Sequence, residues 1–225
     1  VKPAAGGGGR GIRLAENAEQ LSEEFPRSQR EAQAAFGNGA VYLERFISRA
    51  RHIEVQVLGD KHGNAIHLFN RDCTSQRRHQ KLIEEGPAPN VSDEICNRVC
   101  ESAAELIRKA NYSGAATVEF LMNEEQEFFM LEVNTRVQVE HPVTEMFTGV
   151  DIVQESIRVA AGEKLSWTQD EIKVNGHAIE CRINAEDPDM NFMPQPGIIE
   201  TWQPPGGPGV RVDSHVRQGY RIPPN

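Results

Sequence analysis

From residue 132 to 140 every second position is polar, as Glu132, Asn134, Arg136, Gln138 and Glu140, and the positions between are mostly valine. An extended chain points alternate side chains to one side, so the pattern predicts an amphipathic strand with two acids, two amides and one guanidinium on one face. A face so rich in specific chemistry reads as a site, with a plain edge strand as the alternative. Upstream, residues 116–121 and 128–133 are β-rich runs separated by Met122-Asn-Glu-Glu-Gln-Glu127, which reads as a hairpin. A turn centred between Glu125 and Gln126 sets Glu119 directly opposite Glu132, and like charges so placed destabilise a sheet. A hard cation with oxygen ligands resolves the repulsion, and Asn134, two residues along, offers a further oxygen. Two hydrated glutamates, or one held protonated, is the competing structural reading. A turn displaced by one residue would put the acids on opposite faces.

Elsewhere the patterns alternate between helix and hairpin. Asn17-Ala-Glu-Gln20 opens a helix with its capping partner three residues on. Pro26 is expected to interrupt it, a second helix to cover 28–36, and Gly37-Asn-Gly39 to stop that one. A short strand is expected over 41–46, and an alternating strand over 52–58 leads through the turn 59–64 into a strand at 65–69. Ser92-Asp-Glu begins a helix in which Ile95, Val99, Ala103, Leu106, Ile107 and Ala110 recur at helical spacing, with Asn111 as its left-handed stop. Another helix starts at Asp151 and ends near Gly162, and strands follow at 177–183, 198–202 and 210–213. Hairpins mixed with helices argue an α+β fold with a largely antiparallel sheet.

The 225 residues carry 33 acidic and 24 basic side chains, a net charge of −9, which argues against nucleic acid or an anionic membrane as a general partner. No apolar stretch reaches membrane-spanning length, and no signal-peptide pattern opens the chain. Cys73, Cys96, Cys100 and Cys181 show no zinc spacing and read as reduced thiols of a cytosolic protein. Against this acidic background two positive islands stand out. Gly6-Gly-Gly-Gly-Arg-Gly11, with Lys2 and Arg10 beside it, is either a linker or a loop able to bring backbone N–H groups to phosphate oxygens. Arg71-Asp-Cys-Thr-Ser-Gln-Arg-Arg-His-Gln-Lys81 is either a solvated basic loop or a surface whose Gln76, His79 and Lys81 face an anion or nucleotide. His52 and Arg182 stay ambiguous between structural and site roles.

Taken in order, Lys2 with the glycine loop, Glu44-Arg-Phe-Ile47, the run 71–81, Glu119, Glu132-Val-Asn-Thr-Arg-Val-Gln-Val-Glu-His-Pro-Val-Thr-Glu145 and His177-Ala-Ile-Glu-Cys-Arg-Ile-Asn-Ala-Glu-Asp187 resemble biotin carboxylase, of the ATP-grasp superfamily. The resemblance implies an enzyme that uses MgATP (or MnATP) and bicarbonate to form carboxyphosphate, then carboxylates biotin held on a carrier protein or domain. Lys2, Gly8 and Gly9 would cover the phosphates; Glu44, Arg45, Phe46 and Ile47 would meet adenine; His52, Gln76 and His79 would line the nucleotide pocket. Glu119, Glu132 and Asn134 would hold the metal. Lys81, Arg136, Gln138 and Val139 would hold bicarbonate, Glu140 would deprotonate it, and Arg182 would stabilise the biotin enolate. The expected partners are the carrier and a carboxyltransferase component, with a homodimer as one assembly open to the complete enzyme. The expected location is cytoplasm or organelle matrix.

The same resemblance divides the chain into a glycine-rich lid subdomain at 1–46, an ATP-grasp core at 47–172 and the start of a C-terminal region at 173–225. Family members carry sequence ahead of Lys2 and beyond Asn225, so turnover from these residues alone is expected to be greatly reduced or absent. Three positions depart from the family pattern: Asn70 replaces an acid, Gly86 an alanine and Ala116 a glycine. A carbamoyl-phosphate-type ATP-grasp enzyme and a non-catalytic nucleotide-binding module are the alternatives.

Overall fold

A computed structural model of the chain describes residues 1–5 and 11–224. It divides into two units, Val1–Cys181 and Arg182–Asn225. The first is built on a six-stranded sheet of β3 (Arg51–Gly59), β4 (Ala65–Arg77), β5 (Gln80–Gly86), β6 (Gly114–Met122), β7 (Phe128–Asn134) and β8 (Ala178–Cys181), in the order β7-β6-β3-β4-β5-β8. Every neighbouring pair is antiparallel, as the hairpin pattern predicts.

The two faces of the sheet differ in chemistry. Val55 and Val57 of β3, and Ala116, Val118 and Phe120 of β6, point to the face covered by α2 (Asp93–Lys109). There Val99, Cys100, Ala103, Ala104 and Ile107 are buried, and each Val or Ile so buried contributes about 1.5–3 kcal/mol. Ser92 caps α2, and its stop at Asn111 has φ 49°. Ala116, which replaces a family glycine, is fully buried in this core. On the opposite face Leu58, Ile66, Leu68 and Ala115 pack with Val150 and with Ile152, the first residue of α4 (Ile152–Ala160). Farther along that face the apolar residues give way to Glu54, Gln56, Arg71, Thr117 and Glu119, all buried. This polar half is covered by α3 (His141–Thr148) and the segment leading into it, an element the hydrophobic pattern did not reveal.

Several expectations are corrected. The two helices placed on either side of Pro26 are one, α1 (Ala18–Phe36), ending at Gly37 with φ 70°. Pro26 has no N–H to donate, but the helix is held on both sides of it. Arg13 reaches Glu24 before the proline and Glu31 after it, and Ser28 Oγ donates to Gly11 O. The strand expected at 41–46 is only β2 (Val41–Tyr42), paired with β1 (Lys2–Pro3). The basic run 71–81 is a hairpin rather than a solvated loop: β4 continues to Arg77, turns at Arg78 and His79, and returns as β5. Its charges have partners inside the sheet, Arg71 with Glu54 and Asp72 with Arg51.

The strand expected over 132–140 stops at Asn134, because the chain must turn into α3, whose first turn takes the N–H-less Pro142. The hairpin turn also lies half a residue earlier than expected, with Met122 opposite Phe128.

The second unit, described by itself, holds two short ladders. β9 (Glu186–Asp187) pairs with β10 (Met193–Pro194), and β11 (Gly197–Ile198) with β12 (Arg221–Ile222). The strand expected over 198–202 shrinks to β11, and the one expected over 210–213 does not form among the described residues.

Candidate functional site

The polar half of the sheet face converges on Lys81. Its Nζ lies 2.5 Å from Glu54 Oε2, 2.9 Å from Glu119 Oε1 and 2.6 Å from Glu140 Oε1. The three acids come from β3, β6 and the N-terminal boundary of α3, so one ammonium ties together three parts of the unit. Beneath it Arg71, fully buried, donates from Nε to Glu54 Oε1 at 2.7 Å, and from Nη1 to Gln56 Oε1 at 2.9 Å and Thr144 Oγ1 at 2.7 Å. Three carboxylates therefore face two cations, and Glu132 adds a fourth acid at the edge.

Glu119 is the most heavily engaged of the acids. Its Oε1 accepts from Lys81, from Asn134 Nδ2 at 3.0 Å and from Gln138 Nε2 at 3.0 Å, and His52 Nε2 lies 2.9 Å from its Oε2. Gln76 Nε2 meets His52 Nδ1 at 3.0 Å. Donation there leaves the ring hydrogen on Nε2, which lies 2.9 Å from Glu119 without the alignment of a hydrogen bond. Burial alone would raise the Glu119 carboxyl, but His52 and Lys81 outweigh it and hold it at about 2. Burial works against the Glu54 carboxylate too, and Arg71 and Lys81 bring it below its ordinary value. Desolvation works against the Lys81 ammonium, and the surrounding acids reverse that and push it well up. Burial also pushes the Cys73 thiol well up, which keeps it protonated beside these charges.

Across the β6–β7 ladder Glu119 pairs with Glu132, and Thr117 with Asn134. The register slips by one residue between Phe120 and Glu119, so Leu131 is an extra residue in β7 and the two acids stay opposed despite the earlier turn. Arg136 is exposed, reaching Asn134 Oδ1 at 3.3 Å and Val137 O at 3.4 Å. The cation recorded beside Glu140 is Lys81, at 2.6 Å. Gln138 is buried with its amide turned inward to Glu119 and Arg71, while Val139 is 60% exposed.

The remaining expected residues lie around this centre. Lys2 Nζ is 3.4 Å from Glu44 Oε2. Burial lowers the Lys2 ammonium, and Glu44 and Tyr42 more than restore it. Glu44, Arg45, Phe46 and Ile47 form an irregular segment in which Phe46 is 66% exposed, and the Arg45 guanidinium lies 5.8 Å from the Phe129 ring centre. His79 is at the exposed tip of the β4–β5 hairpin, away from solvent-shielded groups. Gly8 and Gly9 lie outside the described residues, and Arg182 opens the second unit.

Sequence reasoning missed Glu54, Gln56, Arg71 and Thr144. The signal for the first two was present: they are the alternate polar positions of the strand 52–58, and only the central position of that strand in the sheet turns them inward.

Comparison with known proteins places this arrangement. Residues 1–168 match the family described as carbamoyl-phosphate synthase L chain, ATP binding domain, and residues 180–225 match the biotin carboxylase C-terminal domain. The biotin carboxylase of a Nostoc species is 54% identical over 224 residues, covering all of this chain and 50% of that protein. That of Pseudomonas aeruginosa is 54% identical over 225 residues, again covering 50% of it. The chain thus spans about half the length of the curated relatives it matches. A crystal structure of a Campylobacter jejuni biotin carboxylase–ATP complex superposes with a TM-score of 0.95 at 49% identity, over 99% of this chain and 49% of that one. The biotin carboxylase domain dimer of Hydrogenobacter thermophilus 2-oxoglutarate carboxylase, solved with MgADP, ADP and bicarbonate, gives the same TM-score, identity and coverage. With an ATP-grasp sheet carrying opposed glutamates, a lysine amid buried acids, and both family domains matched in order, the chain belongs to the biotin carboxylase family.

Proposed function

We propose that the chain provides the ATP-grasp part of a biotin carboxylase, which activates bicarbonate with ATP and transfers the carboxyl group to carrier-bound biotin. The observation that carries this reading is the Lys81 ammonium held among Glu54, Glu119 and Glu140, beside the opposed Glu119 and Glu132. The donor set of Glu119, Glu132 and Asn134 is all oxygen, and the surrounding acids outnumber the cations. Both features fit a hard divalent ion such as Mg²⁺ or Mn²⁺. That ion would neutralise charge on the transferring phosphoryl group. Glu119 Oε1 already accepts from three protein donors, while Oε2 has only the His52 ring 2.9 Å away.

The protein's own contribution is positioning and charge. Lys81 and Arg136 are the cations for bicarbonate, with Gln138 and Val139 as its further ligands. Glu140 accepts the proton of bicarbonate, so that the resulting anion attacks the γ-phosphorus and ADP leaves. Lys2, the glycine loop at Gly8 and Gly9, and residues 44–47 would close over the nucleotide, with His52, Gln76 and His79 around it, and exclude water from a readily hydrolysed carboxyphosphate. Arg182 would stabilise the biotin enolate that takes up the carbon dioxide released from it.

The partners on this reading are a biotin carrier and a carboxyltransferase component, in cytoplasm or an organelle matrix. Among the described residues no helix is long and apolar enough to cross a membrane. The test is ADP release by the protein as its cell makes it, with MgATP and bicarbonate, with and without free biotin. Bicarbonate-dependent release that free biotin accelerates is the expected result. Release accelerated by ammonia and indifferent to biotin would overturn the reading in favour of carbamoyl-phosphate chemistry.

A further inference from the structure

Arg71 is the largest of the fully buried side chains, yet it meets no solvent from which a substrate could come. Its guanidinium contacts three separate parts of the unit: Glu54 and Gln56 on β3, Gln138 in the segment after β7 at 3.5 Å, and Thr144 on α3. Two of these partners have a second end that faces the site. Glu54 gives one oxygen to Arg71 and the other to Lys81. Gln138 turns its carbonyl to Arg71 and its NH₂ to Glu119. A planar guanidinium with five N–H donors can fix both orientations at once, whereas an ammonium offers a point charge without the fork.

We propose that Arg71 is a positioning residue for this reaction, setting Lys81 through Glu54 and Glu119 through Gln138, so that the bicarbonate side and the phosphate side of the site share one anchor. This rests on the proposed function for its kinetic consequence, though not for the orientation itself. A buried ion pair serving stability alone would have no need to divide its donors between two residues that each hold a different polar group of the site. Thr144 completes the anchor by accepting from the same nitrogen as Gln56, which ties the start of α3, and with it Glu140, to the sheet.

The variant Arg71→Lys keeps the charge and loses the fork. Expected are a loss of about 10- to 100-fold in kcat for bicarbonate-dependent ATP cleavage and a raised bicarbonate KM, the size seen when supporting hydrogen bonds around a reactive centre are removed. Adenine affinity, which Arg71 does not touch, is expected to stay within about twofold. A second readout needs no turnover: trace acylation of lysines followed by mass spectrometry, in which Lys81 labels faster in the variant because Glu54 no longer holds it. If Arg71→Lys does not fold, Thr144→Val removes one acceptor at nearly constant shape and carries the same two readouts in the same direction.

Unchanged Lys81 labelling together with unchanged kinetics in a folded variant overturns the proposal. Faster Lys81 labelling in a protein whose parent shows no bicarbonate-dependent ATP cleavage sustains the positioning role and overturns the proposed function instead.

Discussion

Glu119 on β6 and Glu132 on β7 stand opposite each other, and the extra residue Leu131 keeps them there. Two like charges facing across a ladder work against the sheet by roughly 0.2–1 kcal/mol unless something positive intervenes. In the absence of divalent ions, Glu132→Gln is therefore expected to raise the thermal midpoint slightly. The same substitution is expected to abolish most of the additional rise that MgATP gives the parent. Differential scanning calorimetry with chelator and with MgATP reads both, and a variant that gains as much from MgATP as the parent would remove Glu132 from the ion's ligands.

Lys81 is the counter-ion of three acids, so its removal leaves them facing one another with Arg71 and the His52 ring beside them. Lys81→Met is expected to lose about 3–5 kcal/mol of stability at neutral pH, the cost of stripping one partner from a buried ion pair. Since the stranded carboxylates then gain protons on folding, the deficit should shrink as pH falls from 8 to 5. Urea unfolding at both pH values checks this. A deficit independent of pH would mean that Lys81 acts by packing alone.

The depressed Glu119 carboxyl links stability to acid. Its folded value of about 2 lies below its ordinary 4.5, so its contribution is complete above pH 4.5 and is lost as pH falls from there towards 2. The shift corresponds to on the order of 3 kcal/mol. Asp60, held at about 2 by Asn64, Leu165 and His62 against the effect of its burial, shares the same window. The difference between parent and Glu119→Gln isolates the Glu119 part: the variant's acid limb should be shallower between pH 4.5 and 2. Superimposable limbs would contradict the pairing with His52 and Lys81.

Gly86 departs from the alanine expected by resemblance, and α3 supplies the reason. A Cβ at Gly86 would lie 2.5 Å from Phe147 Cε1 and 2.8 Å from Val143 Cγ1. Gly86→Ala is expected to destabilise by about 1–3 kcal/mol through overpacking. Because α3 begins beside Glu140, the substitution should also lower turnover. Chemical denaturation with an activity assay tests both, and a neutral variant would mean that α3 shifts freely on β5.

How far the sequence could be read is clearest at particular residues. Asn17, Ser92 and Asp151 announced their helices because a capping side chain is a local signal. The opposed glutamates were legible from their charge pattern, but by compensating deviations: the turn is earlier than expected and the bulge restores the pairing, and no local rule gives both. Pro26 misled because the bridge from Arg13 across it is a tertiary contact. The basic run 71–81 looked solvated because the acids that neutralise it, Glu54 and Glu119, lie far away in sequence and meet it only when β3, β4 and β6 assemble. For the same reason the burial of Arg71, and its place behind the site, belonged to the sheet order and to no window of residues.

The slipped register in β7 has one more consequence. The observed five-residue tip, with its bulge at Leu131, gives the paired acids at the base the register that a six-residue tip in unbroken pairing would give. The tip is thereby insulated from the base. A change of one residue in the length of the tip can thus be taken up at Leu131 without moving Glu132 off Glu119.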